Sequence, residues 1–325
     1  MSNITRTTQA ILLLTSDFSK NRELDVIPLN PSEWGRFAFW LHENSLKPDE
    51  LLQTNFKEIL KDWKDDNITI QRIEKLLHRG GALALAMEKW QRVGIWIINR
   101  SDLNYPKQLK KKLKTLSPPI LYGVGNQKLL NKKSIGVIGS KKISKEDSIY
   151  AFHLGEKIAK DGYTLLSNGL LDSAVEGTLN IGGSATIFLS NGLLKSSLSS
   201  FYRRGLMDDS LVLISSSYPE SLYDLNHNIE NNKYIYTQSS ATIIIDSKDE
   251  DIVLSAKDTL NQYKDIPLWI KENSSSKISN QELIQVGVNK LLDDMLQDNI
   301  SSLAKLKESV KSSEKKPIQP SLFDI

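Results

Sequence analysis

Three short polar turns hold the residues whose types and spacing could do chemistry. In Lys132-Lys133-Ser134-Ile135-Gly136-Val137-Ile138-Gly139-Ser140-Lys141-Lys142, a basic lead-in meets an apolar run that ends in Gly-Ser and two lysines. A helical pattern starts a few residues later. Where a strand runs through such a turn into a helix, backbone N–H groups can approach a phosphate, and the helix N-terminus favours an anion. Glycine at a turn also serves purely steric ends, so this turn alone leaves both readings open. Two more strand ends repeat the small polar pattern, Ser167-Asn168-Gly169 and Ser190-Asn191-Gly192.

Other chemistry is thinly represented. The chain has no cysteine, which excludes disulfides, thiol nucleophiles and cysteine-ligated metal and suits a reducing cytoplasm. His42, His78, His153 and His227 are scattered without ligand spacing, so no metal or cofactor is expected. No paired catalytic carboxylates and no Ser-His-Asp order stand out. Asp172, Glu176 and Asp246 near strand ends read as caps or solvated acids. From Arg100 to Lys142 there are eleven Lys/Arg and one acid, Asp102, within a chain of net charge +3; such a block is a footprint for polyanions or a solvated face. No apolar run reaches the roughly 18 residues of a membrane span, and residues 1–6 lack a signal-peptide layout.

The elements that must position these turns follow from periodicity. Residues 1–99 read as a helical domain: an apolar helix over 7–15, a start at Asn30-Pro31-Ser32-Glu33 followed by Trp34, Phe37, Ala38 and Leu41, another from Lys47-Pro48-Asp49-Glu50, and a helix from Ile70 broken or kinked at Gly80-Gly81. Strands are expected at 93–98, 120–123, the apolar run that ends in Gly139-Ser140, 163–166, 185–189, 211–214, 241–245 and 267–270, with helices over 148–160, 173–181, 225–236 and 252–263 between the later ones. A last helix is expected over 281–296. Short apolar strands alternating with helices imply a mainly parallel α/β sheet, whose strand ends gather the three turns along one edge.

The order of these motifs resembles the DprA/Smf family of DNA-processing proteins. Asp102, Tyr105-Pro106 and Pro118-Pro119-Ile120-Leu121-Tyr122 are similar to the family's approach to its core. Val137-Ile138-Gly139-Ser140-Lys141 is similar to its V-x-V-G-S-R turn, with Lys for Arg. Ser167-Asn168-Gly169 and the stretch from Gly177 through Gly182-Gly183-Ser184-Ala185 resemble its S-G…G-A-L-x-x-G-G-x-T. Asn231-Asn232-Lys233-Tyr234-Ile235 stands where the family has R-N-R-I-I, and Asn280, Leu283, Ile284 and Gly287 resemble its late G-N-x-L-I-x-x-G-A. The resemblance runs from about residue 95 to 290. It implies an extended Rossmann-type domain over 100–298 that binds single-stranded DNA, often as a homodimer, and hands it to the recombinase RecA in transformation or recombination. It places Gly139, Ser140, Lys141 and Lys142 at the phosphate turn, Ser167, Asn168 and Gly169 at the second turn, and Asn232 and Lys233 in the same pocket. Lys141, Asn231 and Lys233 replace arginines, so the two lysines put point charges where bidentate forks would stand and Asn231 puts a neutral amide.

Residues 299–325 read as a flexible charged linker ending in Gln319-Pro320-Ser321-Leu322-Phe323. This resembles the Q-x-x-L-F peptide that bacterial partners insert into the replication sliding clamp, with Gln319, Leu322 and Phe323 as its contacts; the bland reading is an apolar tail folded back on its own domain. The whole reads as a cytoplasmic DNA-binding accessory protein without chemistry of its own. The alternatives are a nucleotide sensor in anti-phage defence and a nucleotide-hydrolysing enzyme of related fold, which would need a Gly-Thr continuation and a glutamate that Gly182-Gly183-Ser184 lacks.

Overall fold

A computed structural model describes residues 4–18, 26–222, 224–263, 265–271 and 277–291, together with Leu303 and Leu306. Its first part is helical: α1 (Arg6–Thr15), α2 (Pro31–Glu43), a 3-10 turn at Pro48–Leu52, α3 (Phe56–Ile59), α4 (Ile70–Leu77) and α5 (Gly80–Arg92). The caps are local in origin. Asn30 and Glu33 form a reciprocal capping box at the start of α2, with Pro31 at its first position, where its missing N–H is no loss. The expected break falls two residues earlier, at His78-Arg79, and Gly80-Gly81 open α5. Gly94, at φ +74°, ends the helix capped by Val93, so β1 begins at Trp96 rather than at Val93.

The remaining elements are β1 (Trp96–Asn99), α6 (Lys107–Leu113), β2 (Ile120–Gly125), β3 (Ser134–Ile138), α7 (Lys145–Lys160), β4 (Thr164–Ser167), α8 (Asp172–Asn180), β5 (Ala185–Phe188), α9 (Leu193–Ser197), α10 (Ser200–Met207), β6 (Leu211–Ser215), α11 (Leu225–Gln238), β7 (Ala241–Ile244), α12 (Glu250–Gln262), β8 (Leu268–Lys271), α13 (Lys277–Gln285) and β9 (Asn289–Leu291). The nine strands form one sheet in the order β1-β2-β6-β5-β4-β3-β7-β8-β9. From β6 to β9 neighbours are parallel, while β2 pairs antiparallel with both β1 and β6. A boundary drawn between residues 99 and 100 falls at the end of β1, inside the sheet.

Strand side chains alternate between two cores. Ile135, Val137, Leu165, Ile187, Leu213 and Ile243 face α7, α8 and the helical region in one cluster. Ile138, Leu166, Phe188, Ile214, Ile244 and Ile270 face α6, α11 and α12 in the other. The expected last helix over 281–296 is corrected: α13 stops at Gln285, Gly287 takes φ +106°, and β9 adds to the sheet edge beside β8. The turn glycine ends the helix because its left-handed backbone cannot continue it. Residues 299–325, with the clamp-like peptide Gln319, Leu322 and Phe323, lie outside the described residues apart from Leu303 and Leu306.

Candidate nucleic-acid interface

The sheet order reverses at β3, which has β4 on one side and β7 on the other. In an open α/β sheet the carboxyl edge at such a reversal is where ligands bind. The first turn leaves β3 at this point. Gly139 is there for packing as much as for any ligand: a Cβ would lie 3.0 Å from the Leu171 side chain of the second turn. Ser140 is 1% exposed and its Oγ accepts the Asp249 N–H at 3.1 Å. The Lys141 N–H donates to the Asp249 carboxylate at 2.9 Å, while the Lys141 and Lys142 side chains are exposed. Ser144 then caps α7, its Oγ accepting the Asp147 N–H at 3.0 Å.

The second turn lies against the first. Ser167 is fully buried, and its Oγ has no hydrogen-bond partner among the described residues. Gly169 takes φ +74°, the left-handed region that favours glycine. Asn168 accepts the Leu170 N–H through Oδ1 at 3.2 Å and donates through Nδ2 to Asn232 Oδ1 at 3.3 Å. Asn232, 1% exposed, donates in turn to Asp251 Oδ2 at 3.4 Å. This relay ties the second turn, α11 and the start of α12 together. Asn231, where the family resemblance expected an arginine, donates to the Phe188 carbonyl at the end of β5, 2.6 Å away.

Lys233 departs from the expected pocket. Its ammonium donates to Gln262 Oε1 at 2.9 Å and stands 5.7 Å above the Tyr263 ring. Gln262 ends α12, and α12 starts at the carboxyl edge beside Asp249, so that contact lies a helix length from the turns. Burial lowers the Lys233 pKa, opposed by Glu230 and Asp258. Successive helical residues point about 100° apart, which is why Asn232 reaches the edge and its neighbour does not.

Sequence reasoning missed the acids of this edge. Asp249 precedes α12 yet makes no side-chain cap to it; its carboxylate holds the glycine turn instead. Asp246, read as a cap or solvated acid, is fully buried, with Lys248 Nζ 3.4 Å from its Oδ2. Burial raises the Asp251 carboxyl, the Asp249 charge raises it further, and Asn232 and Lys141 oppose the rise. Asp147, 1% exposed, pairs with Lys271 at 2.7 Å. The signal was the run Asp246-Ser247-Lys248-Asp249-Glu250-Asp251 directly after β7. This edge therefore offers a small polar floor, two exposed lysines and a carboxylate resting on the turn N–H. It has the parts for holding phosphate oxygens. Among the described residues no group of three or more His, Cys, Asp or Glu could hold a metal ion.

The comparisons agree with this geometry at the level of fold. Residues 96–302 match the family model described as DNA recombination-mediator protein A. DNA processing protein A of Streptococcus pneumoniae superposes with a TM-score of 0.64 at 16% identity, covering 89% of this chain and 95% of that one. DNA processing protein A of Helicobacter pylori, described for its single-stranded DNA binding mode, gives 0.49 at 16% identity over 67% of this chain and 96% of that one. A molybdenum cofactor binding protein from Rippkaea orientalis gives 0.40 at 17% identity, covering 56% and 98%. No curated protein matches the sequence.

Proposed function

We propose a role from one fixed point: the chain belongs to the DNA recombination-mediator protein A family, whose model spans residues 96–302. Its role is to hold single-stranded DNA along the carboxyl edge of the sheet and pass it to a RecA-type recombinase, without covalent chemistry of its own. One observation carries this reading. The Gly139-Ser140-Lys141 and Ser167-Asn168-Gly169 turns meet at the strand-order reversal, with Lys141 and Lys142 exposed beside them. Ammonium groups and turn N–H groups grip phosphates without reading bases, so binding is sequence-tolerant and weakens as salt rises. A second copy of the chain and the sliding clamp belong to the same reading. The clamp peptide, Gln319, Leu322 and Phe323, is its most easily removed part; clamp affinity that survives deletion of residues 319–325 eliminates it.

The test is titration of labelled single strand, duplex and free nucleotides across salt. Single strands are expected to bind best. Lys141→Ala with Lys142→Ala is expected to weaken them roughly tenfold and to lower the salt slope by about 1, at about 0.7 per lost phosphate contact. Equal binding of duplex, or no change in the double variant, defeats the carboxyl-edge reading.

A further inference from the structure

The basic block from Arg100 to Lys142 is divided by β3. Lys141 and Lys142 leave its carboxyl end, whereas Lys132 and Lys133 precede its amino end. Six residues at about 3.3 Å each put Lys133 roughly 20 Å from Gly139. The block is therefore not one groove. Of the other nine, Lys128, Lys132 and Lys133 lie on the amino side, whereas Arg100 follows the end of β1, which pairs with the start of β2 beside the carboxyl end of β6, so that α6 runs from the amino side at Lys107 towards the carboxyl side at Lys114; none of the nine is used by the site above.

Their arrangement is ordered. Lys107, Lys110, Lys111 and Lys114 recur at i, i+3, i+4 and i+7 along α6 and its cap, and all four are exposed. Leu109 and Leu113 face the other way, into the core. Two amides fix this helix to the 3-10 turn at Gln127–Asn131. Asn131 accepts the Lys107 N–H at 2.9 Å and donates to the Asn104 carbonyl at 3.1 Å. Gln238, the last residue of α11, accepts the Leu109 N–H at 2.9 Å and donates to the Leu130 carbonyl at 2.8 Å. Exposed Lys128, Lys132 and Lys133 therefore continue the same ridge.

The ridge is costly to keep without a partner. Lysines at i and i+4 repel by a few tenths of a kcal/mol per pair. Among the described residues, the ion pairs formed use other cations than Lys107, Lys111, Lys114, Lys128, Lys132 and Lys133. Lys114 also sits at φ +51°, a left-handed backbone that glycine would adopt without strain. The segment from Arg100 to Lys142 carries +10, from eleven cations and one acid, so a chain total of +3 leaves −7 elsewhere. Between the lysines stand exposed neutral side chains with donors, Gln108 and Thr115, which suit phosphate and sugar oxygens.

We propose that this lysine ridge, which runs along α6 and into the turn before β3, is a second nucleic-acid contact that holds the phosphates of a strand, set apart from the turns after β3 and β4 by the strands that stand between β2 and β3. It rests on the proposed function only for the class of its ligand. A strand long enough to leave the carboxyl edge reaches the ridge, and a short one does not.

The experiment compares the full chain with Lys107→Gln, Lys111→Gln and Lys114→Gly combined. Lys110 is kept because its Nζ donates to the Arg100 carbonyl at 2.7 Å. The probes are oligothymidylates of about 4 and about 40 nucleotides, the short one too short at about 3.4 Å per stacked nucleotide to bridge both contacts, and vesicles containing phosphatidylserine. On the long strand the triple variant is expected to bind roughly tenfold more weakly at low salt, with a salt slope lower by about 2; on the short strand it is expected to equal the parent. Its unfolding midpoint should be unchanged or higher, since glycine relieves position 114. Parent-like affinity and slope on the long strand overturn the ridge, whatever the Lys141 and Lys142 variants do. Loss of vesicle binding alone overturns it in favour of a membrane surface. Loss on the long strand in the triple variant, with no effect of Lys141→Ala and Lys142→Ala on either length, upholds the ridge and removes the carboxyl-edge reading instead.

Discussion

Asp249 sets how the glycine turn presents itself. Its carboxylate accepts the Lys141 N–H, and its own N–H is held by Ser140 Oγ. A phosphate approaching that turn meets a negative charge already seated there. Asn at this position keeps an acceptor for the Lys141 N–H and removes the charge. A unit charge about 4 Å away is worth about 1 kcal/mol even at the dielectric of water, so Asp249→Asn is expected to tighten single-strand binding roughly fivefold. The comparison is made by titration at low salt, and the gain should shrink as salt screens the site. Weaker binding by Asp249→Asn would show that the carboxylate organises the turn for its ligand instead of opposing it. Legibility at this scale was uneven. Gly139-Ser140-Lys141 and Ser167-Asn168-Gly169 could be placed from glycine and small polar residues at strand ends. Asp249 could not, because an acid before a helix reads as a cap, and only the fold shows its side chain turned to another loop.

Helices α7 and α8 show where glycine spacing carries the fold. A Cβ on Gly155 would fall 2.1 Å from the Ala174 carbonyl oxygen, and one on Gly177 would fall 2.0 Å from the Phe152 carbonyl oxygen. Each helix thus offers a glycine to the other's backbone, and α8 is pressed close enough to aim the second turn at the first. Gly155→Ala and Gly177→Ala must each push the helices apart. Either should cost about 1–3 kcal/mol or more, despite alanine's better helix propensity, measured as a drop in denaturant midpoint. An unchanged midpoint would mean that the crossing yields without loss. Elements with clean periodicity were legible: a break close to Gly80-Gly81, the end of the helix over 148–160, and the strands from β2 to β8. β9 was not, because Asn289–Leu291 is three residues long and follows a helical pattern without an apolar run. Helices α9 and α10 were also missed, as the serine-rich stretch from Ser196 to Ser200 breaks their spacing.

At the scale of the molecule, the helical region and the sheet share one core. Leu12, Leu14 and Trp90 from the helices lie in the same buried cluster as Tyr122, Val137 and Ile243 from the strands. Trp90 meets Tyr122 edge to face, with ring centroids 5.2 Å apart. Asn99 of β1 donates to Thr8 Oγ1 of α1 at 2.9 Å, and both residues are buried. A surface so continuous should unfold as one unit, although sequence composition invites a division near residue 99. Four of the six tryptophans, Trp34, Trp40, Trp63 and Trp90, belong to the helical region, so intrinsic fluorescence follows mainly that region. Far-UV circular dichroism follows the whole. In denaturant the two signals are expected to trace one transition. Trp90→Ala should shift both together, by about 3–5 kcal/mol, because its loss opens a cavity between α5 and β2. Should fluorescence move alone while the dichroism keeps a second, unshifted step, the sheet would be holding itself together without the helices.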